Sequence, residues 1–242
     1  LTPTVAIVDP ALVLTVPGSV AADTGMDVLT HATEAYVSQM ASDYTDGLAL
    51  QAIKLVFENL ESSVKNADFH SREKMHNAST IAGMAFANAF LGISHSMAHK
   101  IGAQFHTIHG RTNAILLPYV IRYNGTRPAK TATWPKYNYY RADEKYQDIA
   151  RMLGLPCSTP EEAVDAYAKA VYELGERVGI QMNFKAQGID EKEWKKHSRE
   201  LAFLAYEDQC SPANPRLPMV DHMQEIIEDA YYGYKERPGR RK

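Results

Sequence analysis

The chain has 242 residues, 45% hydrophobic and 23% charged, enough for a sizeable core, and its formal charge of −3 argues against a nucleic-acid partner. No apolar run nears the roughly 20 residues needed to cross a bilayer, and the basic stretch at residues 237–242 reads as a solvated end. Two cysteines, Cys157 and Cys210, are too few for a disulfide framework; with no secretory signal, a reducing, cytoplasmic compartment is expected.

Along the chain, Val5-Ala6-Ile7-Val8, closed by Asp9-Pro10, predicts a buried strand. One short strand cannot stand alone, and Leu1-Thr2-Pro3 is an unnatural start, so residues 1–10 are expected to be the remnant of a missing N-terminal domain. Residues 11–242 then form a helical unit. Ser19 is expected to cap a helix running to about Gln39, and Asp43 to cap the next, with Leu48, Ala52, Leu55, Val56 and Leu60 on its apolar stripe. A third helix opens at Ser71 and passes through Ile81, Met84, Ala85 and Ala89; rich in Ala, Met and Gly, it is expected to be central. Gly92 interrupts, and helical patterns resume over 94–105 and 110–123, the latter containing Pro118. Residues 124–143, with Pro128, Pro135 and several tyrosines, read as an irregular connection. Helices follow over 144–153, 160–178, 190–206 and 219–234, and residues 208–218, with three prolines, form a loop. The fold class is all-α with one leading strand.

Two spacings carry chemistry. Asp27 and His31 lie four apart in a helical segment, hence on one face, and His95 and His99 repeat that spacing in another. His109 follows before Gly110. One carboxylate and three imidazoles, from Asp27, His31, His95 and His109, are suited to iron, zinc, cobalt or manganese, and the set needs no thiolate. The bland alternative is a polar stripe on an amphipathic helix. It competes well for Asp27 and His31, and less well for His95 and His99, which sit among small and apolar residues. His70, His76, His197 and His222 lie on charged segments and read as surface residues; His106 has no evident partner.

The stretch from Thr24-Gly25-Met26-Asp27 through His31 to Tyr36, the run His95-Ser96-Met97-Ala98-His99-Lys100, and His109-Gly110 with Asn113 to Pro118 resemble the signatures of the iron-dependent alcohol dehydrogenases. Asp208-Gln209-Cys210 with Ala213-Asn214-Pro215-Arg216 is similar to their C-terminal loop. Phe86 to Phe90 and the segment with Trp134, Pro135 and Tyr137 favour the alcohol dehydrogenase part of the bifunctional aldehyde-alcohol dehydrogenases. The resemblance covers essentially the whole chain. It implies a dehydroquinate synthase-like helical domain with Asp27, His31, His95 and His109 as ligands to Fe2+, or Zn2+ in its place. It implies that His99 lies beside the active site and helps to pass a proton, with Phe86 and Cys210 near nicotinamide and substrate.

The implied reaction interconverts small aldehydes such as acetaldehyde with alcohols, the metal acting as a Lewis acid and NAD(H) carrying the hydride. Family members hold the dinucleotide on an N-terminal α/β domain. This chain has no Gly-Gly pair and no Gly-x-Gly-x-x-Gly, so NAD(H) is expected to be bound mainly by that missing domain. Arg111 and Thr112 depart from the small or apolar residues usual before Asn113. The resemblance also implies a homo-oligomer or filament, so a helical assembly module inactive alone is a competing role. A metal-dependent hydrolase is a third, weakened by the lack of His-Glu-x-x-His, with Glu34 as its one candidate base.

Overall fold

Ser42, Asp68, Thr159 and Asp190 each accept a hydrogen bond from a backbone N–H of the helical turn that follows, and these caps set where four helices begin. The computed structural model describes residues 3–128 and 140–233. Among them run α1 (Gly18–Val37), α2 (Asp43–Lys65), α3 (Phe69–Ala89), α4 (Ile93–Phe105), α5 (His109–Gly125), α6 (Ala142–Met152), α7 (Pro160–Arg177), α8 (Glu191–Tyr206) and α9 (Val220–Tyr232), with short 3-10 turns at Pro10–Val13 and Ser211–Ala213. The fold is all-α.

Two expected caps and one expected helix start shift. Ser19 lies inside the first turn of α1, after an uncapped Pro17. Ser42, not Asp43, has the extended backbone that a cap needs, and it exchanges hydrogen bonds with Thr45 in a capping box. Ser71 is the residue whose amide is capped, by Asp68. Trp134, Pro135 and Tyr137, the basic stretch at 237–242 and the last residue of the helix expected over 219–234 lie outside the described residues.

The strand expected at residues 5–8 does not form. Val5 and Ile7 are 75% and 86% exposed, and no described strand lies beside them to complete a ladder. The chain instead enters the turn Pro10–Val13, capped by Asp9. The Arg72 guanidinium then donates to the carbonyls of Val13 and Val16 at 3.1 and 2.8 Å.

Helices α1, α2 and α3 pack on one another around Met26, Leu29, Ile53, Val56, Leu60 and Ala82. A second core joins Met97, Ile101, Trp194, Leu201, Met223 and Ile227 from α4, α8 and α9. Helix α5 lies between the cores, giving Ala114, Leu117 and Ile121 to the first and Ile115, Leu116 and Val120 to the second. The central helix is therefore α5 rather than α3. On α3 the apolar burial follows one stripe, Met75, Ala78, Ala82, Ala85 and Ala89, while Met84 is 47% exposed. No single described helix is long and apolar enough to cross a membrane.

Between α3 and α4 the helix axis turns by 106°. The turn passes through Phe90, in the left-handed region at φ 61°, and Gly92. A Cβ on Gly92 would press on Asn214 Oδ1 at 2.8 Å and Glu34 Oε1 at 2.9 Å, so glycine is required for the close approach. The turn delivers the start of α4 to the polar face of α1.

Candidate metal centre

On α1, Asp27, His31 and Glu34 recur at intervals of four and three and so share one face. Helix α4 brings His95 and His99 against that face, and α5 presents His109 in its first turn. Gly110 makes the last approach possible: a Cβ there would collide with the Asp23 carbonyl oxygen and reach 3.1 Å from Asp27 Cβ.

Three of the four converge, and His31 lies beside them. One donor atom each from Asp27, His95 and His109 lies within 4.8 Å of the others. His95 Nε2 and His109 Nε2 stand 3.8 and 3.6 Å from Asp27 Oδ1, and His31 Nδ1 stands 3.7 Å from Asp27 Oδ2. The His31 and His95 rings are 4.4 Å apart, and those of His95 and His109 5.4 Å. The three nitrogen–oxygen separations are too long for hydrogen bonds. They fit donors arranged around a cation, with two bonds of about 2 Å spanning each of these gaps.

His95 gives the sharpest test of fit. Its Nδ1 lies 2.6 Å from Glu34 Oε2, with both side chains buried. The carboxylate also accepts from the Gly92 and Ser94 amides at 3.0 and 2.7 Å. A carboxylate with these donors accepts the Nδ1 proton, leaving a bare lone pair on Nε2. That Nε2 is buried and has no hydrogen-bond partner among the described residues. A buried polar atom without a partner is costly, and a cation beside Asp27 would satisfy it. The donors of Asp27, His31, His95 and His109 fit a divalent first-row metal.

The imidazoles are held in the ligand form. Burial, together with repulsion from His95, lowers the His31 pKa to about 4, although Asp27 and Glu34 pull the other way. Burial likewise lowers that of His109, against the attraction of Asp27. Asn113 donates from Nδ2 to Asp27 Oδ1 at 2.8 Å and lies 3.1 Å from His109 Nε2; its own carbonyl accepts from Ser94 Oγ at 3.3 Å. Phe86 stacks on His31 with ring centroids 4.5 Å apart, so an apolar wall faces one side of the cluster.

His99 stands apart from the cluster. Its ring stacks on His109 at 5.5 Å, and its Nδ1 lies 3.2 Å from Asp208 Oδ2. Lys100 Nζ reaches the same carboxylate oxygen at 2.8 Å. Burial raises the Asp208 pKa, but Lys100, the Cys210 amide and His99 outweigh it and hold the carboxyl below its ordinary value. Cys210 is buried beside them, and burial, followed by the charges of Asp208 and Glu34, pushes its thiol up to about 12. Cys157 and Cys210 are both free.

The remaining histidines stay outside the centre. His106 ends α4 in the left-handed conformation and is exposed. His70 is exposed and His76 half-buried. His197 sits between Glu193 and Glu200, and His222 bonds the Tyr123 hydroxyl at 3.1 Å. Arg111 gains a structural role: it forks onto the buried Asp23 carboxylate at 2.9 and 3.0 Å, tying the start of α5 to α1. Spacing pointed to none of the supporting residues Glu34, Asn113 and Asp208. The nearest signal is Glu34, seven residues after Asp27 on the same helical face.

The profile of the Fe-containing alcohol dehydrogenase family, C-terminal part, matches residues 21–231. The aldehyde-alcohol dehydrogenase of Streptococcus pneumoniae serotype 2 (strain D39) is 96% identical over all 242 residues, which span 27% of that protein. Among solved structures, an iron-containing alcohol dehydrogenase from Thermococcus thioreducens superposes with a TM-score of 0.81 at 36% identity, over 96% of this chain and 56% of that one. Sulfoacetaldehyde reductase from Bifidobacterium kashiwanohense, solved in complex with NAD+, gives 0.76 at 30% identity, over 94% of this chain and 54% of that one.

Proposed function

This chain belongs to the Fe-containing alcohol dehydrogenase family, and on that premise we propose that it supplies the metal centre and part of the substrate site of an enzyme interconverting small aldehydes and alcohols with NAD(H). Asp27, His31, His95 and His109 are the proposed ligands of Fe2+, or of Zn2+ in its place. The dinucleotide is held mainly by sequence outside this chain, in keeping with the 27% of the pneumococcal relative that the chain spans. The cytoplasm is the proposed compartment, and homo-oligomers or filaments the proposed assembly.

When bound, the cation supplies Lewis acidity toward the alcohol or aldehyde oxygen and the nicotinamide accepts or returns the hydride. The residues of the chain set the stage for that chemistry. Glu34 fixes the tautomer of His95, and Asn113 orients Asp27 by a hydrogen bond to Oδ1. Phe86 excludes water from the His31 face. His99, beside the cluster with a 34% exposed side chain, exchanges the hydroxyl proton with solvent. Cys210, held as a neutral thiol, forms part of the wall.

The observation that carries this reading is the buried, partnerless His95 Nε2, with its Nδ1 on Glu34 and its open edge toward Asp27. Metal analysis of the anaerobically purified chain, beside an Asp27→Ala, His95→Ala double variant, tests it. About one iron or zinc per chain, lost in the variant, is expected. A folded wild-type protein that takes up neither metal when either is added in excess would overturn the ligand set.

A further inference from the structure

His95 and His99 sit one turn apart on α4, and each turns its Nδ1 to a carboxylate from a different part of the chain. Glu34 of α1 takes His95; Asp208, in the loop after α8, takes His99. The first pair serves a proposed ligand. The second serves His99, which lies outside the proposed ligand set and whose donor atoms group with those of Asp208 and Cys210 instead. A carboxylate held in place for a histidine outside that set calls for its own account.

Asp208 is not a loosely placed surface acid. Its side chain is 6% exposed. Oδ2 accepts from Lys100 Nζ at 2.8 Å, Oδ1 accepts from the Cys210 amide at 3.0 Å, and its own amide donates to the Ala205 carbonyl at 3.2 Å. With the Lys100 ammonium on Oδ2 the carboxylate stays ionised, and an ionised carboxylate only accepts. The 3.2 Å contact with His99 therefore requires the proton on His99 Nδ1, which leaves a free lone pair on Nε2 at the far edge of the ring. The ring itself lies nearly parallel to His109, 13° between planes, and its side chain is 34% exposed, against 1% for His95. His99 thus sits beside the cluster, partly open to solvent, with its orientation and tautomer both determined.

We propose that Asp208, anchored by Lys100, is the positioning residue for His99, holding it as the Nδ1–H tautomer with Nε2 free to take a proton. This rests on the alcohol dehydrogenase reading above. Oxidation of an alcohol to an aldehyde removes a hydride, which goes to the nicotinamide, and the hydroxyl proton, which needs an acceptor of this kind; reduction runs the same transfers backward. Asp208→Asn retains the size, but the new amide can turn to donate to Nδ1, which would move the proton to Nε2 and close that acceptor.

The test is nitrogen-15 NMR of the zinc-loaded protein, with the His99 signals assigned by their loss in His99→Gln. The wild-type ring is expected as the Nδ1–H tautomer. Asp208→Asn should shift it toward Nε2–H with zinc still at one per chain, and Asp208→Glu should restore it. A wild-type ring in the Nε2–H form, or an Asp208→Asn protein whose tautomer is unchanged, overturns the proposal. In the NAD(H)-dependent assay of the longer protein that also carries the dinucleotide-binding part, Asp208→Asn should lower kcat at least about tenfold with KM within about twofold, and Asp208→Glu should recover part of the loss; normal turnover in Asp208→Asn also overturns it. A wild-type chain that takes up no metal, or a longer wild-type protein with its dinucleotide-binding part but no turnover, would sink the alcohol dehydrogenase reading instead, and the tautomer measured in the chain still decides whether Asp208 positions His99.

Discussion

His95 and Glu34 face each other across 2.6 Å, a nitrogen of α4 and a carboxylate of α1, with side chains only 1% and 2% exposed. Three donors converge on that carboxylate: His95 Nδ1 and the amides of Gly92 and Ser94. Glu34→Gln keeps the shape and removes the charge that fixes the tautomer. Metal affinity should fall by about 10–100-fold, as for other carboxylates behind histidine ligands. Competition with a chromophoric chelator measures this, and unchanged affinity would mean that Glu34 only packs. Glu34→Ala, which leaves two amides and the imidazole without an acceptor, should in addition cost about 3–5 kcal/mol of stability.

His31 makes the metal-free protein sensitive to mild acid. Its pKa is lowered from the ordinary 6.5 to about 4, first by burial and then by His95. Between those values the unfolded chain takes up a proton that the folded chain refuses. The stability associated with a neutral His31 is therefore complete above pH 6.5 and is lost as pH falls toward 4. The size is on the order of 3 kcal/mol. Urea unfolding at pH 7.5, 6 and 5 should show this decline, and His31→Gln should flatten it. Equal slopes in both proteins would assign the pH dependence elsewhere.

Two glycines separate close approach from mere presence in a helix. Gly110→Ala drives a methyl into the Asp23 carbonyl and pushes the first turn of α5, with His109, away from α1. It should cost about 1–3 kcal/mol and weaken metal binding. Gly47, inside α2, has nothing within 4 Å of where its Cβ would lie. Gly47→Ala should stabilise by about 0.5–1 kcal/mol and leave metal content unchanged. Thermal unfolding with metal analysis of both variants checks the contrast; equal effects would contradict it.

Much of this is legible in the amino-acid order because it is local. Helical periodicity locates the helices to within a few residues, and the four-residue spacing puts Asp27 with His31 on one face and His95 with His99 on another. The supporting residues are not local. Glu34 meets His95 across 61 residues, Asn113 meets Asp27 across 86, and Asp208 meets His99 across 109. An acid on a helix face looks the same whether it faces water or a buried imidazole. Average composition misplaced the centre for a related reason: the alanines of α3 form a single stripe, whereas α5 is enclosed because two cores meet on it. The apolar run at residues 5–8 predicts a strand, yet a strand exists only where a second one pairs with it.

Cys210 provides a probe of the same region that needs no metal. Its thiol is pushed up to about 12, by burial above all and then by the negative charges of Asp208 and Glu34. At pH 8 only about one molecule in 10⁴ would carry the reactive thiolate. Alkylation of the native protein should therefore modify the half-buried Cys157 first and Cys210 far more slowly. The Cys210 rate should climb about tenfold per pH unit through pH 10, with no plateau near the ordinary thiol range. Denaturant should bring both sites to similar rates. Asp208→Asn removes one of the two negative charges and should speed Cys210 labelling at fixed pH. If labelling of Cys210 levels off below pH 10, the thiol is not held protonated by its surroundings, and its place in a neutral wall beside His99 falls with it.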